Sequence, residues 1–244
     1  MAVNIDDVYQ KVLAIANKEQ RGYITPQEFN LFANQAQKEI FEQYFYDLNQ
    51  FKRVPGSRQY ESDMTSIIND KLSSFTKHVP LTSVSEEFGI QQFNVPVDFY
   101  RFQNARTSFD LDGIHIEKLT KTNFFNARTS PLTKATRERP LMYISEQNNQ
   151  IFIQSSTNSP IQRFTLQYFK KPEKPNWTYI ISPGSHTALY DGSAGNAQNF
   201  ELHPSEESEL VYKILKLAGI SMVRDDIMRA GQGMEAMQIQ QEKQ

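Results

Sequence analysis

Residues 139–172, RPLMYISEQNNQIFIQSSTNSPIQRFTLQYFKKP, constrain the fold of this chain more than any other stretch. Pro140 leads into an apolar run at 141–145, a polar turn follows at 147–150, and 151–154 forms a second run. A Ser/Thr/Asn/Pro loop separates these from 164–170, which stops at Lys171-Pro172. Apolar residues alternate within the runs, Ile151 with Ile153 and Phe164 with Leu166 and Tyr168. A period of two is that of a half-buried strand, and successive strands with short polar connections pair antiparallel. The segment predicts an antiparallel β region.

The chain before it follows a different period. Asn4 can cap a short amphipathic helix with Val8, Val12 and Ile15 on one face, ending before Gly22. Thr25-Pro26-Gln27-Glu28 then supplies a capping hydroxyl, a proline at the first helical position and a glutamate at the third, which is a capping box. Phe29, Ala33, Ala36, Ile40, Tyr44 and Leu48 recur at three- and four-residue steps, and Phe32, Phe41 and Phe45 widen this apolar stripe. The polar residues of the same helix (Asn30, Asn34, Gln35, Gln37, Gln43) suit packing between copies of the chain. Pro55-Gly56 breaks the pattern, and a third helix is expected over about 60–75 with Met64, Ile67, Ile68, Leu72 and Phe75 apolar.

From 78 to 203 strands and loops take over. Residues 79–81, 89–95 and 97–106 give the first β elements, with Pro96 favouring an edge or a bend, and 114–119 fits either strand or helix. Residues 124–139 and 182–199 read as long exposed loops, of a length that usually serves function or a partner. A last helix over 205–229 places Glu206, Glu207 and Glu209 in its first turn and Arg224 and Arg229 near its end, as the helix dipole favours. Past Gly231, a glutamine-rich tail with Met234, Met237 and Ile239 is expected to become helical only against a partner. The domain expectation is a helical part over 1–76, a β region with long loops over 77–202, a C-terminal helix over 203–230 and a partner-ordered tail over 231–244. The pentapeptide Asn-Ala-Arg-Thr-Ser occurs at 104–108 and again at 126–130, but two such copies do not make a repeat architecture.

Composition narrows the chemistry. Cysteine is absent, which removes disulfides, thiolate metal sites and thiol nucleophiles and fits synthesis in a reducing cytoplasm. A net charge of −2 argues against a dedicated nucleic-acid binder. The N-terminus lacks the basic and apolar regions of a secretory signal, and no apolar run approaches the roughly 20 residues of a spanning helix, so no membrane role is expected. Ser185, His186, Asp191 and Ser193 are triad-type residues crowded in one loop, without the G-x-S-x-G elbow or the separate elements that orient a triad. His78, His115, His186 and His203 show no ligand spacing, and Asp110-Leu111-Asp112-Gly113 lacks the remaining oxygen ligands of a calcium loop. No phosphate-cradling glycine pattern occurs. The expectation is no enzyme, no metal and no cofactor. Lys118, Lys121, Arg128, Lys134, Arg137 and Arg139 gather positive charge before the proline-led strand, with Phe124 and Phe125 among them. Such a loop suits an acidic neighbouring subunit or DNA passing nearby.

The succession of a proline-led strand with tyrosine (Pro140, Tyr143), an I-x-I strand (Ile151, Ile153), a strand ending Tyr168-Phe169-Lys170-Lys171-Pro172 and a closing helix resembles the head-to-tail connector proteins of short-tailed bacteriophages, the adaptor or tail tubular A-like family. The resemblance extends to the opening helices, with Ile24-Thr25-Pro26-Gln27-Glu28-Phe29-Asn30 followed by Ala33, Ala36 and Phe41. It extends also to Val95-Pro96-Val97-Asp98-Phe99 followed by Arg101, similar to an L-P-x-D-F element. What it implies is an α+β protomer, a helical bundle built from the N-terminal helices and a C-terminal helix, with an antiparallel β region between them. Copies would form a ring, commonly dodecameric, below the portal protein. The ring would join a downstream tail or neck protein and let DNA pass through the channel without sequence-specific binding. The expected location is the virion neck, and the expected contact residues are Phe124, Phe125, Arg128, Lys134, Arg137, Met234, Met237 and Ile239. Two rival expectations remain: a virion tail or surface protein whose β region binds a receptor or glycan near Trp177 and Tyr179, and a virion hydrolase using the His186 loop.

Overall fold

The computed structural model describes residues 2–17, 24–51, 58–107, 113–145, 147–156, 160–182, 184, 188–221 and 225–242, leaving aside the side chains of 51, 58–64, 220–221, 225–230, 239 and 241–242. The class is α+β, as expected, and the chain divides into two compact units. Residues 1–74 and 172–244 form a helical unit, and residues 75–171 form a β unit inserted between its halves. The expected β region ran to 202. Residues 172–202 instead belong with the helices, where Asn30 and Gln37 of the second helix hydrogen-bond their backbone.

In the helical unit, α1 (Ile5–Asn17), α2 (Pro26–Phe51) and α3 (Arg58–Ser73) precede α5 (Glu207–Ser221) and α6 (Asp225–Glu242). The capping box forms: the Thr25 backbone N–H and hydroxyl both donate to the Glu28 carboxylate at 3.0 and 2.7 Å, and the Glu28 N–H returns to Thr25 Oγ1 at 3.3 Å. Phe29, Ala33, Ala36, Ile40 and Tyr44 are buried as their spacing predicts, together with Val8 and Val12 of α1 and Leu210, Ile214 and Leu215 of α5. Ile15 differs, lying partly exposed beyond the reach of that core. Helix α2 packs on α5 and α3, and α1 packs on α5.

The single long helix expected over 205–229 is in fact a short 3₁₀ turn (Pro204–Glu206) followed by α5 and α6, with 222–224 outside the described residues. Helix α6 packs back on α5 within the same chain, so 231–242 is helical without a partner. Gly231 lies inside α6 rather than ending a helix. A methyl group there would meet the Lys216 backbone nitrogen at 3.1 Å, so the glycine sets how closely the two helices approach.

The β unit is a two-layer sandwich with a helix on one outer face. One sheet has the order β1 (Thr76–Thr82), β8 (Arg163–Lys170), β4 (Phe99–Arg106). The other has β2 (Ser85–Glu87), β3 (Ile90–Asn94), β7 (Gln150–Gln154), β6 (Leu141–Ser145), β5 (Glu117–Lys118), antiparallel except that β5 runs parallel to β6. Between the sheets lie Phe93, Met142, Ile151, Ile153, Phe164, Leu166 and Tyr168. On the outer face of the five-stranded sheet, Ile90, Leu141 and Tyr143 pack with Phe124 of α4 (Lys121–Thr129). Both faces of β6 are therefore covered, each by a different partner, and the outer face of β7 is half-buried through Phe152. In β4 the inward set is Phe99, Phe102 and Ala105, a step of three, because two register shifts against β8 each add a residue. Pro80 sits within β1, which is an edge strand where a missing N–H costs no ladder bond. Asp98 ties this sheet together: its carboxylate accepts from Lys77 Nζ at 2.5 Å and from Tyr168 Oη at 2.6 Å, and its carbonyl accepts from the Lys171 N–H. Burial works against this carboxylate, but those donors outweigh it and hold its pKa below the ordinary 3.8. Burial first, and then the same contact with Asp98, push the Tyr168 phenol well above its usual value.

Candidate interaction surface

The stretch expected as an exposed loop over 124–139 begins inside a helix, α4, which runs to Thr129, and continues as mostly exposed turns over 130–139. Thr120 Oγ1 accepts from the Asn123 N–H at 3.4 Å and opens α4, and Phe124 fixes it to the sheet. Phe124 is fully buried, with its ring 4.8 Å from that of Tyr143, so it belongs to the core of the β unit and cannot contact a partner surface. Phe125, the next residue, points outward and is 41% exposed. Lys121, Phe125 and Arg128 lie at i, i+4 and i+7 and so share one side of α4.

Arg128 is half-buried, and its Nη2 donates to the carbonyl of Phe88 at 2.8 Å. Phe88 was not singled out by the sequence. With Gly89 it forms the two-residue turn between β2 and β3, where both residues have positive φ, +52° and +73°. Such a turn matches the twist of a hairpin but favours Asn or Gly at its first position. A phenylalanine there costs on the order of 1 kcal/mol and, at 87% exposed, recovers nothing by burial within this unit. The signal in the sequence was the Phe-Gly pair between two short strand-like runs.

The remaining basic residues are dispersed in role. Lys118 Nζ lies 4.9 Å from the centre of the Phe102 ring, and Arg139 Nε bonds Glu117 at 2.8 Å. Lys134 and Arg137 are exposed in the turns after α4, as is Leu132. In the helical unit, Met234 and Met237 of α6 are exposed to solvent, and the Ile239 side chain lies outside the described residues. The stretch expected as a second loop, 182–199, holds one short strand, β10 (Ala188–Tyr190), which pairs antiparallel with β9 (Tyr179–Ile181) just before it; Ile180, Ile181 and Leu189 are exposed.

Trp177 is buried, not an open aromatic platform. Its Nε1 donates to Asp6 at 2.9 Å, and its ring lies against Tyr9, Tyr179 and Tyr190. Ser185 and His186 lie outside the described residues, as do Asp110, Leu111 and Asp112. Asp191 Oδ1 accepts from both the backbone and the hydroxyl of Ser193, at 3.1 and 2.6 Å, an Asx turn that holds its pKa below the ordinary carboxylate value. Among the described residues no group of histidine and carboxylate side chains is arranged to hold a metal ion, and no helix is long and apolar enough to cross a membrane.

A cluster of opposite charges is buried among the helices. Lys213 Nζ bonds Glu235 at 2.7 Å and lies 3.4 Å from Glu209, while Lys216 bonds the other oxygen of Glu235 at 2.9 Å. Lys71 pairs with the buried Glu206 at 2.8 Å. Burial alone would neutralise these groups. The paired charges prevail, holding Glu206 and Glu235 below, and Lys213 above, their ordinary values. This cluster clamps α6 to α5 and serves architecture.

No protein-family model matches the chain, and no curated protein matches it.

Proposed function

We propose that this chain is a structural protein of a short-tailed bacteriophage virion, the head-to-tail connector that forms a ring below the portal and bridges capsid to tail. The observation that carries this reading is the protomer itself: helices from both ends of the chain share one unit, and a β sandwich is inserted between them. That is the arrangement the resemblance implies. The exposed apolar residues on α4, the β2–β3 turn, α6 and the β9–β10 hairpin supply several separate contact surfaces, which a ring subunit needs for two neighbours and two axial partners. The work is assembly, with buried interface area supplying the free energy, and no reaction is catalysed. The partners are further copies of the chain, the portal protein and a downstream tail or neck protein, with DNA passing through the channel. The protein is made in the host cytoplasm and resides in the virion neck.

Mass photometry of the purified chain, alone and mixed with the portal protein of its own genome, tests this reading. A large discrete complex appearing with portal is the expected outcome. A monomer in both samples rejects it and shifts the function to recognition of a receptor or glycan.

A further inference from the structure

The positive charge of the β unit is concentrated in one sheet. Residues 75–171 hold twelve Lys and Arg against eight Asp and Glu, and strands β1, β8 and β4 contribute five of the twelve but none of the eight. Alternation assigns these residues to faces. Val79, Leu81, Phe164, Leu166 and Tyr168 turn to the core, and Lys77 falls on the same side, matched by Asp98. On the outer side the register aligns His78, Gln167 and Asn104 in one row and Thr165 and Arg106 in the next, with Arg163 one step beyond. Arg101 lies one row to the other side of His78. The three arginines and His78 are exposed, and the Arg106 and Arg163 side chains make no ion pair or hydrogen bond among the described residues. Helix α4 packs on β6 of the opposite sheet, so no described helix of this unit covers the face. Elsewhere in the unit the cations stand among carboxylates. Arg139 binds Glu117, Arg137 adjoins Glu138, and exposed Glu86 and Glu87 precede the turn that Arg128 holds.

We propose that the outer face of the β1–β8–β4 sheet lies against the phosphate backbone of DNA. The proposal rests on the connector reading, in which DNA passes the chain, and names the surface that meets it. A guanidinium presents a fork of donors that matches two phosphate oxygens, and Thr, Asn and Gln side chains are common further donors to the backbone. One row of the sheet is two residues, about 7 Å, so the three arginines spread over roughly 20 Å along the strands. That is on the order of six base-pair steps of a duplex. The outward set is polar and cationic rather than apolar, which suits a hydrated polyanion better than the dry centre of a protein interface. Backbone contacts carry no sequence information, as the passage of a whole genome requires.

Fluorescence anisotropy of a short labelled DNA duplex, titrated with the full chain at several low salt concentrations, tests the face. The parent should bind with a log–log salt slope of about −3, close to −0.9 for each phosphate met. Arg106→Gln with Arg163→Gln should weaken binding about tenfold or more and make the slope shallower by about 2. Lys134→Gln with Arg137→Gln, in the turns after α4, should change it by less than about twofold. Equal losses in the two double variants, or no binding by the parent, overturn the proposal. So does displacement of the duplex by poly-glutamate of matched charge, which would assign the face to an acidic protein. The chain has no cysteine, so a single introduced thiol gives a second readout. A photoreactive label on Thr82→Cys, opposite Arg163, should crosslink the duplex, and the same label on Phe125→Cys of α4 should not. Equal crosslinking from both positions counts against the face. Mass photometry with portal is read separately. A ring that still forms with the Arg106, Arg163 variant supports a DNA-facing role, and a ring lost in that variant alone makes the face a subunit contact and overturns it. A parent that binds DNA through these residues but forms no ring rejects the connector reading and leaves the face standing.

Discussion

Gln37 shows how a residue can be placed correctly on a helix and still be misread. Its side chain is buried, with Nε2 donating to the Glu173 carbonyl at 2.7 Å and Oε1 accepting from the Glu201 N–H at 3.1 Å. Asn30 does the same for Trp177, accepting from its N–H at 2.8 Å and donating to its carbonyl at 3.1 Å. The polar residues of α2 were expected to face other copies; two of them instead satisfy the irregular backbone of 172–202 inside their own unit. The spacing held a hint, since Gln37 lies four residues from Ala33 and so on the apolar stripe. Gln37→Leu should cost roughly 2–3 kcal/mol by leaving two backbone groups unpaired, measurable as a lower urea midpoint. A loss below about 0.5 kcal/mol would mean that water satisfies those groups. Phe88→Asn should move the other way, gaining about 1 kcal/mol by relieving the left-handed phenylalanine, read from the same unfolding curves.

At the scale of elements, local chemistry and tertiary packing divide the credit. The capping box of α2 is local, and Thr25→Ala should cost about 1 kcal/mol in thermal unfolding. The α5–α6 pair is not local. Glu235→Gln removes the shared partner of Lys213 and Lys216 and leaves the buried Lys213 with Glu209 at 3.4 Å, and should cost roughly 2 kcal/mol. Adding Lys213→Met together with Glu209→Gln should restore much of the loss, since no buried charge is then left without its counter-ion. Failure of these added changes to restore stability in calorimetry would show that the cluster is not the clamp. Gly231→Ala sets two effects against each other: a gain of up to about 1 kcal/mol in helix propensity, and a methyl group 3.1 Å from the Lys216 backbone. A backbone cannot turn aside as a flexible side chain can, so net destabilisation is expected.

Across the whole molecule, the titrating groups predict a stability plateau with two limbs. Asp98 in the β unit and Glu206 and Glu235 in the helical unit have folded pKa values below their ordinary 3.8 and 4.5. Their contributions are present above those ordinary values and are lost as pH falls through the lowered folded values. Lys213 is raised above 10.5, so its contribution is complete below that pH and is lost as pH rises through its folded pKa. Chemical denaturation across pH should therefore show a falling acid limb, weakened by Asp98→Asn in a probe of the β unit and by Glu235→Gln in a probe of the helices. An acid limb unchanged in both variants would contradict the assignment.

The pentapeptide Asn-Ala-Arg-Thr-Ser marks the boundary between what sequence and tertiary structure each decide. Asn104, Ala105 and Arg106 of the first copy end strand β4, whereas Asn126–Thr129 of the second lie in helix α4. Five residues of middling propensity cannot choose. Ala105 is buried between sheets, and the second copy follows Phe124, whose burial against Leu141 and Tyr143 holds the helix in place. By itself the sequence determined α1 to α3, the capping box, the alternation of β7 and β8 and the α+β class, because periodicity and caps act over a few residues. Tertiary structure decided the fate of 121–129, the return of α6 onto α5, the inward use of Asn30 and Gln37, and the assignment of 172–202 to the helical unit. Each of those depends on partners far away in the chain, which local spacing does not encode.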